Sequence, residues 1–412
     1  MELLPILPGI PVFVLAIVFL LIAVRQVGRF RIRIWQIMLG GAIAVLLLGQ
    51  ISLQEAAHSI NPDVMLFLFG MFAIGVALER SGYLGEISSR LFARARNGQH
   101  YLFIVILSMG LLSALLMNDT LAIIGTPLVL SSCRRFRVPQ KTALLALCFA
   151  VTIGSVMSPI GNPQNLLIAE YSQMQQPFLV FLIYLGIPTL INLMIAFLFL
   201  RAFCPVGTPK EDSADVSVPE KNEPLTLLCR VSLAVVLCLV GVRVILGPVF
   251  PLTVIALAGA APVLLLSRER FDVLKRVDWP TLVFFASMFV LMQSVYQSGF
   301  FQYALDISLV TSVPVIMAAS ITVSQFISNV PFVALFQPLI LGSELPISGV
   351  MALAAGSTIA GNLTILGAAS NVIVIQGAEQ QGQTLTFWEF FRIGLPLTLV
   401  NGIVYILFLT LF

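Results

Sequence analysis

Stretches of roughly twenty residues with almost no charge follow one another along the chain, the length at which a helix crosses a hydrocarbon core of about 30 Å. Cut at their charged or Pro- and Gly-rich breaks, they give candidate spans at 8–25, 34–52, 63–82, 142–170, 178–203, 225–247, 251–267, 279–297, 347–376 and 391–411. Two further apolar segments, 101–133 and 304–342, are too long for one helix and carry a polar break near the middle. Water is no solvent for such runs: 59% of the 412 residues are hydrophobic and only 10% are charged, against about 25% in an ordinary soluble domain. The pattern is that of an all-α polytopic membrane protein.

The 22 Lys and Arg against 19 Asp and Glu leave a net charge of +3. The basic residues are scattered in short clusters, which excludes a nucleic-acid-binding domain. Five cysteines (Cys133, Cys148, Cys204, Cys229 and Cys238) form no CxxC pair and have no histidine at ligand spacing, so neither a disulfide framework nor a transition-metal cluster is supported. Histidine is limited to His58 and His100. The N-terminal run lacks a basic n-region and meets its first arginine at Arg25, so it reads as a spanning helix that starts outside, not as a cleaved signal peptide.

Lys and Arg in short loops mark the cytoplasmic side. Basic clusters fall at 25–33, 80–96, 134–141, 201–221 and 268–276, whereas the loops at 52–63 and 171–177 contain neither residue. The alternation puts both termini outside a plasma (inner) membrane. Segment 101–133 begins after one basic cluster and ends at another, so it enters from the cytoplasm and returns as a re-entrant hairpin with its tip at Met117-Asn118-Asp119-Thr120. By the same counting 304–342 enters and leaves from outside, with its tip at Ser328-Asn329-Val330-Pro331. The one long hydrophilic stretch, 204–224, lies almost at the midpoint and reads as a cytoplasmic linker between halves 1–203 and 225–412.

The halves are related. An offset of 217 sets 63–84 on 280–301, matching Phe67 to Phe284, Met71-Phe72 to Met288-Phe289 and Ser81-Gly82 to Ser298-Gly299. An offset of 206 sets 152–165 on 358–371, matching Thr152-Ile153, Gly161 and Asn165 to Thr358-Ile359, Gly367 and Asn371. Between them Asn118 meets Asn329 at an offset of 211. Each half holds five spans and one hairpin, and because five is odd the second half enters the membrane from the opposite side. Inverted repeats of this kind let a secondary transporter expose one site alternately to either side.

Irregular backbone at membrane depth is tolerated only where it is buried in protein or lines a cavity. Four such places are expected, two per half: the hairpin tips, and breaks at 158–165 and 361–371 inside the spans 142–170 and 347–376. Half-helix N-termini there offer N–H groups to an anion, while freed carbonyls and Asn, Ser and Thr oxygens suit Na⁺. On this reasoning Asn118, Asp119, Thr120, Asn162, Gln164, Asn165, Ser328, Asn329, Thr364, Ser370 and Asn371 are the substrate-binding candidates. Asp119, Ser158, Gly161, Asn165, Gly361, Asn362, Gly367 and Asn371 are the candidates for the coupling ion. Asp119 is the one acid placed well inside the membrane, where a carboxylate costs about 2.5–3.5 kcal/mol or more. It carries a proton, binds Na⁺, or caps the second hairpin helix. Arg243, near the outer end of its span, is expected to snorkel. No cofactor is implied beyond Na⁺ or H⁺. Gln54-Glu55-Ala56-Ala57-His58 lacks the first His of a zincin motif, and neither a GxGD nor a GxSxG element occurs, so no enzyme is indicated.

The Phe- and Gly-rich third span ending in Ser81-Gly82-Tyr83-Leu84, the Met117-Asn118-Asp119-Thr120 tip, Gly161-Asn162-Pro163-Gln164-Asn165, Ser328-Asn329 and the second break resemble the ion transporter superfamily. That group includes arsenite permeases, sodium/proton antiporters and divalent anion:sodium symporters. Symporter relatives carry Ser-Asn-Thr at both tips. Here the tips read Asn-Asp-Thr and Ser-Asn-Val, and the added acid looks more like the arsenite and sodium/proton branch than a di- or tricarboxylate carrier. The resemblance implies a homodimer with a scaffold domain and an elevator-like transport domain. The expected function is secondary active transport of a small anion, inorganic or carboxylate, coupled to Na⁺ or H⁺. A Na⁺/H⁺ or arsenite/H⁺ antiporter is the alternative within the class, and a channel would require a continuous polar pore.

Overall fold

With no water in the bilayer core, every backbone group must be satisfied inside its own segment or by a neighbour, and the chain responds with helices. The computed structural model describes residues 9–24, 26, 27, 30, 31, 33–172, 174–203, 222–247, 249–299, 312–327, 329–336 and 345–411. Among these the only strands are a two-residue ladder pairing Gln26–Val27 with Phe30–Arg31.

The first half runs α1 (Ile10–Val24), α2 (Ile34–Leu47), a short α3 (Leu53–Ser59), α4 (Pro62–Ser81), α5 (Tyr83–Phe92), the hairpin arms α6 (Gly98–Leu116) and α7 (Asn118–Cys133), the broken pair α8 (Gln140–Ser155) and α9 (Pro163–Tyr171), and α10 (Pro177–Phe203). The second half follows the same order: α11 (Glu223–Leu246), α12 (Leu252–Leu266), a short α13 (Arg270–Arg276), α14 (Trp279–Gln297), the arms α15 (Val313–Ile327) and α16 (Asn329–Leu335), the broken pair α17 (Ile347–Ile359) and α18 (Ala369–Glu379), and α19 (Phe387–Leu409). Among the described residues α4, α6, α10, α11, α14 and α19 are long and apolar enough to cross a membrane, with α1, α2, α8, α12 and α15 shorter but apolar. Of the sequence expectations, most of the linker 204–224, Ser328, and parts of the second hairpin lie outside the described residues.

Two packing groups emerge. The unbroken helices α1, α2, α4, α11, α12 and α14 pack on one another, while the hairpin arms, the broken helices, α10 and α19 form the second group. The groups touch through α1 with α15, α4 with α7 and α9, α14 with α16, and the start of α10 with α11. Within the second group α6 and α8 approach so closely that a Cβ added at Gly154 would overlap the Gly110 carbonyl oxygen. Gly154→Val is therefore expected to destabilise the purified protein by about 1–3 kcal/mol or more, as overpacked cores do, and thermal melting in detergent reads this directly.

Several boundaries depart from the expected spans for local reasons. Helix α2 stops at Leu47, because the chain turns through Gly49 at φ 66° and Ser52 then caps α3 by exchanging hydrogen bonds with Glu55. The loop 52–63 thus contains a capped helix. Helix α19 starts at Phe387 instead of 391, since Thr386 and Glu389 build the same capping box, and Lys141 of α8 pairs with Glu389 at 2.5 Å. Helix α10 widens into a π turn at Leu182–Gly186, just before Pro188, whose missing N–H disrupts the regular ladder. The basic clusters at 80–96 and 268–276 contain α5 and α13, and Arg80 bridges to Glu269 at 2.7 Å. Arg243 does not snorkel: it is 7% exposed and donates to the Phe250 carbonyl.

Candidate functional site

The first hairpin turns on a single residue. Met117 sits between α6 and α7 at φ 63°, ψ 138°, a conformation that costs a non-glycine residue about 1–3 kcal/mol and persists only where the surroundings enforce it. The enforcing contacts come from Asn118: its backbone N–H donates to the Gly161 carbonyl at 2.9 Å, and its Nδ2 donates to Ser370 Oγ at 3.5 Å. The tip of the first hairpin is thereby fastened to the break of the first half and to that of the second.

Each break is closed by one asparagine. Pro163 opens α9, Asn162 caps it by accepting from Asn165 N–H at 2.9 Å, and Asn165 Nδ2 reaches back to the carbonyls of Ser155, Val156 and Ser158 at 3.1, 3.2 and 3.0 Å. In the second half Asn371 Nδ2 reaches back to Gly361 and Thr364 carbonyls at 2.6 and 3.4 Å. Asn371, Gly361 and Thr364 each lie 206 residues beyond Asn165, Ser155 and Ser158. The offset read from the sequence therefore recurs as the same hydrogen-bonded clasp.

The halves also cross over. Thr358 Oγ1 of α17 donates to Asn165 Oδ1 at 3.4 Å and accepts from Asn162 Nδ2 at 3.3 Å and Gln164 Nε2 at 3.4 Å. Its counterpart Thr152 of α8 lies against Gly361 of the second break. The second hairpin joins through Gln325, which donates to the Ala360 carbonyl at 2.8 Å and accepts from Thr364 Oγ1 at 2.8 Å.

The sequence-selected residues thus meet for the most part. Asn118, Asn162, Gln164, Asn165 and Ser370 share one buried network to which Gly161 and Ser158 supply carbonyls, while Asn371, next to Ser370, clasps Gly361 and Thr364, and Thr364 meets Gln325. Gly361, Asn362 and Gly367 are buried within the second break, Thr120 is buried on the α4 side of the first tip, and Asn329 is buried at the start of α16. One expectation is corrected. The freed carbonyls of the breaks are not idle: those of Gly161 and Gly361 each accept from one protein donor and keep a second lone pair for a cation, whereas those of Ser155, Ser158 and Thr364 each accept from two. A second concerns Asp119. Its carboxylate caps nothing, since Asn118 Oδ1 takes the Asp119 N–H and no side chain caps α7. It is half-buried and makes no side-chain hydrogen bond or ion pair among the described residues.

What remains unpaired indicates the chemistry. Asn162 Oδ1 and Asn165 Oδ1 of the first break both have donors, whereas Asn362 Oδ1, Asn371 Oδ1 and Thr152 Oγ1 around the second break, and Asn329 Oδ1 of the second hairpin, are buried with no partner among the described residues. A buried acceptor without a donor is costly, and hard cations take oxygen ligands. This donor set fits Na⁺. The N-termini of α7 and α18 carry no side-chain cap on their leading N–H groups beyond Asn118 on Asp119, leaving partial positive charge for an anion. Among the described residues no group of three or more His, Cys, Asp or Glu could hold a transition metal. A cavity of about 740 Å³ at the α2–α3 turn, lined by Gln50, Glu55 and Gln297, lies apart from this network.

Sequence reasoning missed Ser155, Thr358, Gln325, Asn192 and Asn401. Each is a polar residue in a largely apolar run, Thr358 and Gln325 each directly after a serine, which was the available signal, though such a residue is commonly just a packing or interhelical hydrogen-bonding group.

A family model described as CitMHS, citrate transporter, matches residues 13–347. An uncharacterized transporter of Mycobacterium tuberculosis is 28% identical over 94% of this chain and 96% of its own length. The silicon efflux transporter LSI3 of Oryza sativa subsp. japonica is 29% identical over 87% of this chain and 89% of its own. Among solved structures, the YdaH transporter of Alcanivorax borkumensis, described as having an unusual topology, superposes with a TM-score of 0.61 over 97% of both chains at 15% identity.

Proposed function

This chain belongs to the CitMHS citrate transporter family, within the ion transporter superfamily, a membrane transporter and not an enzyme, and we propose that it is a secondary active transporter of a small oxygen-rich anion, driven by Na⁺ or H⁺. The observation that carries this reading is the convergence of the first hairpin tip and both broken helices on one network, through Asn118 and Thr358, with unpartnered oxygens around its second half. Asp119 lies beside the tip without a protein cation. An anion held at the N-termini of α7 and α18 is repelled by that carboxylate unless a proton or a metal cation neutralises it. Substrate and cation thus bind together or not at all, which is coupling.

The family's description names citrate and one relative is named for silicon efflux, and both support carboxylates and oxyacids as the first substrates to try. The separation into two packing groups supports an elevator mechanism, in which the group holding the network moves against the unbroken helices. A homodimer in the plasma membrane with both termini outside completes the proposal.

The test is uptake into proteoliposomes of labelled citrate, succinate, sulfate, arsenite and silicic acid, each with an imposed Na⁺ gradient, an H⁺ gradient or none. At least one is expected to enter faster under one inward gradient by about tenfold, a bias of about 1.4 kcal/mol. Acceleration only by an outward-directed H⁺ or Na⁺ gradient, with the ion leaving in exchange for the entering substrate, selects an antiporter. If none of the five enters faster than into protein-free vesicles, the anion reading is wrong.

A further inference from the structure

Three asparagines tie the second break to the last helix of each half. Asn362 Nδ2 donates to Asn401 Oδ1 of α19 at 3.4 Å, Asn401 Nδ2 donates to Asn192 Oδ1 of α10 at 2.9 Å, and Asn192 Nδ2 donates to the Asn401 backbone carbonyl at 3.4 Å. All three side chains are fully buried. Asn192 and Asn401 are counterparts at an offset of 209, as are Thr189 and Thr398 three residues before them, so they pair the two repeats. Helix α19 also meets the break by steric contact, because a Cβ at Gly394 would overlap the Asn362 carbonyl.

The chain has a fixed direction. A backbone carbonyl only accepts, so Asn192 must turn its NH₂ toward Asn401 O, which leaves Asn192 Oδ1 to accept from Asn401 Nδ2. Asn401 Oδ1 must then accept from Asn362 Nδ2, and Asn362 Oδ1 is left facing the opposite way. That oxygen is the buried, unpartnered one. The first break has no such tether. Val156 occupies the position 206 residues before Asn362, and there Asn162 Oδ1 and Asn165 Oδ1 are satisfied by protein donors. The relay and the unpartnered amide oxygens of Asn362 and Asn371 thus occur at the same break. As packing alone the relay gains little, since interhelical hydrogen bonds in membranes average about 0.6 kcal/mol and reach about 1–2 kcal/mol.

We propose that Asn401, oriented by Asn192, is a positioning residue for the cation at the second break: it accepts from the amide NH₂ of Asn362, fixes which way that amide faces, and so presents Asn362 Oδ1 as a ligand. The proposal rests on the reading of that break as a Na⁺ site.

The test is thermal unfolding of the purified protein in detergent while NaCl replaces choline chloride at constant ionic strength. Wild type is stabilised by NaCl with a measurable half-saturating concentration. Asn401→Leu raises that concentration about tenfold, the loss expected when one buried hydrogen bond no longer holds a ligand in place. Asn192→Leu raises it less, and the double variant no more than Asn401→Leu alone, because both act through one relay. A purely structural role lowers the melting temperature in choline chloride and leaves the half-saturating NaCl unchanged. That result overturns the proposal, as do additive shifts in the double variant. If Asn401→Leu does not fold, Asn192→Leu carries the same prediction alone. Absence of any NaCl stabilisation in wild type refutes the Na⁺ site itself, and the proposal with it.

Discussion

Asp119→Asn abolishes gradient-driven uptake, lowering its initial rate by about tenfold or more, and leaves the melting temperature of the purified protein equal to or above that of wild type. The two halves of the expectation have separate causes. The carboxylate sits half-buried in the first turn of α7 with no hydrogen-bond or ion-pair partner among the described residues, and Asn118 already satisfies the N–H it might have capped. Removing it therefore breaks nothing, and it relieves the cost of a charge at membrane depth. Function depends on that charge in a way the fold does not, because only an ionisable group at the tip links the presence of an anion to that of a cation. Initial uptake rates into proteoliposomes, with and without the effective gradient, measure the first half, and melting in detergent the second. Normal transport with unchanged ion dependence removes Asp119 from coupling, whereas a large drop in stability shows that it is structural.

Asn165→Leu has the opposite signature. The side-chain amide donates to three carbonyls, Ser155, Val156 and Ser158, and its oxygen accepts from Thr358. The two amide hydrogens are shared among these carbonyls, and leucine removes both together with the acceptor of Thr358. Ser155 and Ser158 keep a second donor in Asn162 and the Gly161 N–H, while Val156 is left buried without one among the described residues, at about 1–3 kcal/mol for each group stranded. The variant is expected to be poorly folded, seen as loss of the monodisperse peak on size-exclusion chromatography or a steep fall in melting temperature. Asn371→Leu removes two donors and an oxygen that has no partner, so it is expected to melt closer to wild type. The reverse order contradicts the account of the two clasps.

Much of this was legible in the residues. The hairpin tip fell at Met117, where the polar break in 101–133 had placed it, and the breaks fell at the Gly-, Pro- and Asn-rich stretches, because such residues interrupt helices by local chemistry that needs no tertiary context. The offset of 206 carried through to individual hydrogen bonds, since the clasps of Asn165 and Asn371 lie within ten residues of sequence. The misses have the complementary cause. Helices α3, α5 and α13 are short and were hidden in what the charge pattern marked only as loops, although Ser52 and Glu55 carried a capping-box signal for the first. Which carbonyls remained free depended on Asn118 arriving from another segment. Thr358, Gln325 and Asn401 act across nearly 200 residues or between hairpin and break, and a polar residue in an apolar run does not reveal its partner. Arg243 is buried instead of reaching solvent, because the carbonyl it meets, Phe250, belongs to the connection that follows its helix.

The central claim is that the converging tip and breaks form one site in which anion and cation bind together. Steady-state accumulation in proteoliposomes, followed at rising concentrations of the substrate found in the uptake panel, tests it most directly. The account predicts that the effective inward Na⁺ or H⁺ gradient drives the internal concentration above the external one, with initial rates that saturate, and that both properties disappear when the gradient is collapsed. Flux that rises linearly with substrate and never exceeds equilibrium, with or without the gradient, would contradict it.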